Sequence, residues 1–116
     1  MKVIDRNAVP EKTVEMEGAQ KVYKQLVISR SDGAPNFSFR VFTVQPGGHT
    51  PLHEHSCEHL NYVISGKGAL VDPRGVEHEI QAGNFALVLP DEKHQYRNTS
   101  EAEPLILICA VPSEFE

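Results

Sequence analysis

The sequence predicts an all-β fold, an antiparallel sandwich or barrel, on three observations. It is cut into short runs rich in β-branched and aromatic residues, the cuts carry turn chemistry, and no segment reads as a helix. Turn signals fall at Asp32-Gly33-Ala34-Pro35, Pro46-Gly47-Gly48, Ser65-Gly66, Asp72-Pro73-Arg74-Gly75, Ala82-Gly83-Asn84 and Pro90-Asp91-Glu92. Many short strands at regular spacing suit a sandwich or barrel.

In chain order, residues 1–13 read as an arm that pairs with a sheet edge, its own or that of a dimer partner. Strands are expected at Val22–Ser29, Phe37–Gln45, His59–Ile64, Ala69–Val71, Val76–Ile80, Phe85–Leu89, His94–Asn98 and Leu105–Val111, each rich in Val, Ile, Phe, Tyr or Leu. In the second of these, Phe37-Ser38-Phe39-Arg40-Val41-Phe42 is apolar on both faces, so alternation leaves the direction of Arg40 open. In the last, Leu107 and Cys109 share one face, and Ile106, Ile108 and Ala110 the other.

With 116 residues, 40% of them hydrophobic, residues 1–116 make one domain with room for one core. Sixteen acidic against eleven basic residues give a charge of -5, which argues against nucleic acid or an anionic membrane as partner. No stretch approaches a membrane span, and Met1 to Pro10 lacks the apolar region of a signal peptide. The two cysteines, Cys57 and Cys109, have neither C-x-x-C spacing nor a disulfide framework, and a cytoplasmic location is the expectation.

His53, His55 and His59 lie at H-x-H-x-x-x-H spacing in a strand-like stretch, and His94 follows in a turn-then-strand segment. In an extended chain the first three share one parity, so all point to one side. Neutral imidazoles leave a bound ion its full divalent charge, which suits Mn, Fe, Co, Ni, Cu or Zn. Glu58 is the rival ligand, but in a regular strand it faces away and needs a bulge to reverse. Glu54 alternates away as a solvated charge, while His49 and His78 stand outside the pattern as structural or surface residues.

The arrangement resembles the cupin family, whose first motif runs G, five residues, H-x-H, three or four residues, E, six residues, G. Gly47, His53, His55 and Gly66 fit it, with His59 at the glutamate. The second motif runs G, five residues, P-x-G, two residues, H, three residues, N. Gly83, His94 and Asn98 match, while Pro90 is displaced by one position and Asp91 stands at the second glycine.

That resemblance implies a double-stranded β-helix, or jelly-roll barrel, of the small bacterial four-histidine kind. His53, His55, His59 and His94 would hold one divalent transition metal per chain, with Mn or Fe favoured and Zn, Ni, Co or Cu also fitting. It further implies a homodimer and a dioxygenase-like oxidoreductase acting on a small organic molecule. The competing expectation is a metal-dependent module that binds or senses a small molecule without turnover.

Tyr96 shares the parity of His94 and could line the pocket, as could Leu107 and Cys109, since the last cupin strand borders the metal chamber. Arg40, turned inward, would steady an anionic substrate or an oxygen species. Tyr96, Cys109 and Arg40 are thus the candidate catalytic residues, each weighed against a plain packing role. Asn98 is expected to fix the chain after the His94 strand through a side-chain hydrogen bond.

Overall fold

The computed structural model describes residues 1–116. Nine strands form one continuous, curled, antiparallel sheet: β1 (Lys12–Thr13), β2 (Gln20–Ile28), β3 (Phe37–His49), β4 (His59–Ser65), β5 (Lys67–Val71), β6 (Glu77–Gln81), β7 (Phe85–Val88), β8 (Gln95–Asn98) and β9 (Leu105–Pro112). Helical structure is confined to short 3-10 turns, and no helix is long and apolar enough to cross a membrane. The strand order β6-β5-β8-β3-β9-β4-β7, with β2 on the other side of β3, is that of a jelly-roll barrel. The eight runs expected from the sequence are β2 to β9, shifted by a few residues at their ends.

One turn signal is misplaced. Pro46-Gly47-Gly48 does not end a strand but lies inside β3. Val22 pairs with Val44 and Gln20 with His49, so Gln45 to Gly48 bulge out opposite Lys21. Gly47 takes φ +80°, and a Cβ on Gly48 would lie 2.6 Å from the Gln20 carbonyl oxygen, so the bulge needs both glycines. Its effect is to turn a corner: before it β3 pairs with β9 up to Val44↔Leu105, and after it with β8 at His49↔Arg97. The strand thereby carries the chain into the histidine segment.

β9 shows how the interior is divided. Its buried residues alternate strictly as Leu105, Leu107, Cys109 and Val111, as the sequence indicated. Leu105 and Leu107 pack with Val22, Val44, Val63, Ile80 and Tyr96 into the apolar core. Toward the other end of the same face, Cys109 meets Arg40 of β3 in a polar chamber. One end of the barrel is thus filled, and the other left open for a site.

The arm expected at residues 1–13 pairs with the edge of its own β2, through Lys12↔Lys24 and Thr13↔Tyr23. Earlier in the arm, the carbonyls of Arg6 and Val9 accept from the Gln25 side-chain amide, which buries this glutamine while Leu26 beside it stays exposed. Asn98 fixes the chain as expected, since its amide donates to the carbonyls of Val44 and Glu103 and its oxygen accepts from the Ser100 N–H.

Candidate metal centre

His53 and His55 do not lie on a strand. Residues 50–58 form an irregular link, and β4 begins only at His59. Yet burial alternates through the whole segment, with Leu52, Glu54, Ser56, Glu58 and Leu60 exposed and the residues between them partly or fully buried. The chain is extended here without a sheet partner, except at an isolated bridge where His53 and His94 exchange backbone hydrogen bonds of 3.1 and 2.9 Å. That bridge brings the two motif segments together.

The histidine rings gather at one end of the chamber. Ligand nitrogens of His53, His55 and His94 lie within 4.8 Å of one another. His59 is not in that close trio, but its ring stacks on His55 with centroids 4.3 Å apart and stands 5.8 Å from His94. Glu58 points outward and is exposed, whereas His59 is buried. Parity from β4 explains this, since His59, Asn61 and Val63 face in while Leu60 faces out.

The chemistry of the set suits a divalent ion. Burial, reinforced by neighbouring imidazoles and Arg40, lowers His53 to about 4 and His59 to about 3. Burial also lowers His55, with His94 and Arg40 adding to it. His94 is lowered by burial against the opposing pull of the Glu92 carbonyl. All four rings are therefore neutral near pH 7, the state in which imidazole ligates. The Nε2 of His55 is buried with no hydrogen-bond partner, an orphan that a metal would satisfy. The Nδ1 of His94 lies 2.8 Å from the Glu92 carbonyl, which fixes a proton on Nδ1 and leaves Nε2 for the ion.

Around these rings opens a cavity of about 390 Å³. Tyr96, Leu107, Cys109 and Arg40 all line it, so each candidate from the sequence reaches the chamber. Arg40 turns inward, donating from Nη2 to Cys109 Sγ at 3.0 Å with its guanidinium 5.0 Å from the Phe42 ring centroid. The Tyr96 hydroxyl donates to Asn61 Oδ1 at 2.7 Å, and burial holds this phenol well above its ordinary range, so it stays protonated. His49 and His78 lie elsewhere: the first sits against Thr50 and Gln95, the second pairs with Asp72 on the surface.

Asn61 and Lys24 are among the polar lining residues that escaped the sequence reading. Asn61 carried a usable signal, since it shares the parity of His59 two positions on. Lys24 shares the parity of Val22, but the same face runs on to the exposed Leu26, so alternation along β2 did not point it inward.

A jelly-roll barrel with a histidine cluster at its open end is the architecture of a metal-binding cupin. Residues 40–111 match the cupin domain family, and the chain belongs to it. It superposes over 97% of its length on the polyketide cyclase RemF of Streptomyces resistomycificus, covering 80% of that chain, with a TM-score of 0.92 and 30% identity. It is 31% identical over 74 residues to auxin-binding protein 1 of Arabidopsis thaliana, 57% of this chain and 37% of that one. It is 33% identical over 63 residues to gentisate 1,2 dioxygenase 1 of Aquipseudomonas alcaligenes, 54% of this chain and 18% of that one. The chain spans well under half the length of these two curated relatives.

Proposed function

We propose that the protein is a metal-dependent enzyme acting on a small organic molecule, with His53, His55, His59 and His94 as the ligands of one divalent transition ion. The observation that carries this reading is the convergence of three neutral imidazoles, with His59 stacked behind, on a cavity large enough for a small molecule. A bound ion supplies Lewis acidity at a substrate oxygen or, if it is Mn or Fe, one-electron chemistry.

The chain's own residues set what that chemistry acts on. Leu107, Phe42 and Val22 offer an apolar wall, while Arg40 offers donors, the hydroxyl of Tyr96 being already given to Asn61. No lining carboxylate competes with the ligand for those donors. Similarity to RemF over nearly the whole chain supports polarisation of a carbonyl, as in a cyclisation, as the leading chemistry. The segment shared with gentisate 1,2 dioxygenase supports the second reading, a dioxygenase-like oxidoreductase loaded with Mn or Fe.

The test begins with elemental analysis of untagged protein, for which we expect close to one divalent ion per chain. Zinc-loaded and iron-loaded forms are then offered poly-carbonyl and dihydroxyaromatic substrates, with product formation and oxygen uptake followed separately. Turnover without oxygen uptake supports the cyclase-like reading, and uptake confined to the iron or manganese form supports the dioxygenase. Metal binding with no turnover in any form points to a binding module, and protein that takes up no metal overturns the proposal.

We further propose a homodimer in a reducing cytoplasm, where two free buried cysteines suit the redox state. The occupant we assign to the outer sheet face is a second copy of this chain. Across β3, β9, β4 and β7 the registers align Phe39, Ala110, Leu60 and Leu87 in one row and Val41, Ile108, Tyr62 and Phe85 in the next. Phe85 is 82% exposed and Leu60 52%. Both rows are uncharged in a chain of net charge -5, so two copies can meet here without opposing like charges.

A further inference from the structure

Arg40 is a buried cation without a counter-ion. It is 8% exposed, and none of the three ion pairs in the protein includes it. Its one side-chain hydrogen bond goes to the weak acceptor Cys109 Sγ, and its Nε is buried with no partner at all. Lys24 adds a second cation to the same cavity. Lys24 itself is engaged, its Nζ donating to the main-chain oxygen of Glu116 at 2.5 Å, so Arg40 is the cation left without a partner. A charge taken out of water without a partner is costly, and a fold keeps one there when a ligand supplies the partner.

From this we infer that Arg40, with Lys24 adding positive charge nearby, forms an anion subsite, and that the substrate carries a carboxylate held by the guanidinium while another of its oxygens faces the histidines. The inference rests on the proposed function for the second half of that statement only. Guanidinium suits this role because its planar fork can give a carboxylate two parallel hydrogen bonds, and the unpartnered Nε is one of the donors such a fork uses. Phe42 under the guanidinium and Leu107 beside the site keep the subsite dry, which strengthens the pairing. Cys109 Sγ, receiving Nη2, orients the guanidinium.

Benzoate and its neutral isostere benzamide test this, titrated by calorimetry into both metal-free and zinc-loaded full-length protein. Wild type should bind benzoate more tightly than benzamide in both forms. Arg40→Met should weaken benzoate by about tenfold or more and leave benzamide unchanged. Arg40→Lys, which keeps the charge but not the fork, should fall between, and it decides the matter if Arg40→Met does not fold. Equal binding of the two probes, benzoate affinity unchanged in Arg40→Met, or no saturable benzoate binding in either form overturns the subsite. Charge-selective binding by a protein that takes up no zinc keeps the subsite and removes the metal reading, whereas zinc uptake without charge selectivity does the reverse.

Discussion

The backbone amide of Asp91 donates to the carbonyl of His55 at 2.6 Å, a clasp between the two histidine segments that works alongside the His53–His94 bridge. Asp91 makes it with φ +62°, in the left-handed region. The cupin pattern has glycine at this position, and the backbone here shows why: aspartate is one of the few other residues that tolerate the conformation.

Asp91→Gly should therefore be neutral or stabilise the fold by up to about 1 kcal/mol, and metal stoichiometry should not change. Asp91→Val should cost about 1 to 2 kcal/mol and loosen the His55 segment, lowering metal affinity. Urea unfolding with metal titration checks both. An Asp91→Val variant as stable and as tightly loaded as wild type would show that the clasp does not position His55.

Residues 58 and 59 compete for the remaining ligand position, and their burial differs sharply. His59→Ala should reduce metal affinity far more than Glu58→Ala, whose side chain is exposed on the other side of the chain. His59→Glu should recover much of the loss by restoring the commoner cupin set. Metal content after gel filtration measures this, and loss of metal from Glu58→Ala but not His59→Ala would reverse the assignment.

How much of this site was legible follows from what each residue answers to. The common direction of His53, His55 and His59 was legible because extended-chain parity holds even where the chain lacks a sheet partner, so the periodicity survived although the strand did not. Pro46-Gly47-Gly48 misled because glycine marks both turns and bulges, and only the pairing of Val22 and Gln20 across β3 tells them apart. The direction of Arg40 was undetermined locally, since Phe37 and Phe39 share a strand with inward Arg40, inverting the usual pattern. Such inversions come from an apolar outer face and a polar chamber, both tertiary facts.

Protons and metal should compete for the same nitrogens. The ordinary histidine value is 6.5, and burial lowers His53 to about 4 and His59 to about 3 in the folded chain. Below pH 6.5 the unfolded chain takes up protons that the folded chain refuses, so stability is complete above 6.5 and falls as pH drops toward 3. The urea midpoint of chelator-treated protein should decline between about pH 6.5 and 5, before carboxylates titrate. His59→Gln should flatten that decline, and an unchanged slope would remove His59 as a source of it.

If the outer face seats a second copy, a charge placed in its rows should split the pair. Phe39→Glu or Leu60→Glu sets a carboxylate against the same residues of the partner, and burying it unpaired is prohibitive. Wild type should sediment as a dimer and either variant as a folded monomer that still binds metal. A monomeric wild type would end the proposal.

Tyr96 and Asn61 form a polar pair at the border between apolar core and chamber, and their coupling distinguishes an interlocked pair from two independent residues. The tyrosine hydroxyl satisfies Asn61 Oδ1, while the asparagine amide is held 3.2 Å from the Ile108 carbonyl. Tyr96→Phe strands a buried amide oxygen and should cost about 1 to 3 kcal/mol. Asn61→Leu strands the hydroxyl and the carbonyl and should cost a similar amount. Removing both leaves no orphan between them, so the double variant should be more stable than the sum of the two losses predicts, by about 1 kcal/mol or more. Metal content should hold throughout, because neither side chain is among the imidazoles. Strictly additive losses in a double-mutant cycle by urea unfolding would mean that the hydrogen bond contributes nothing of its own, and that Tyr96 is held by the core alone.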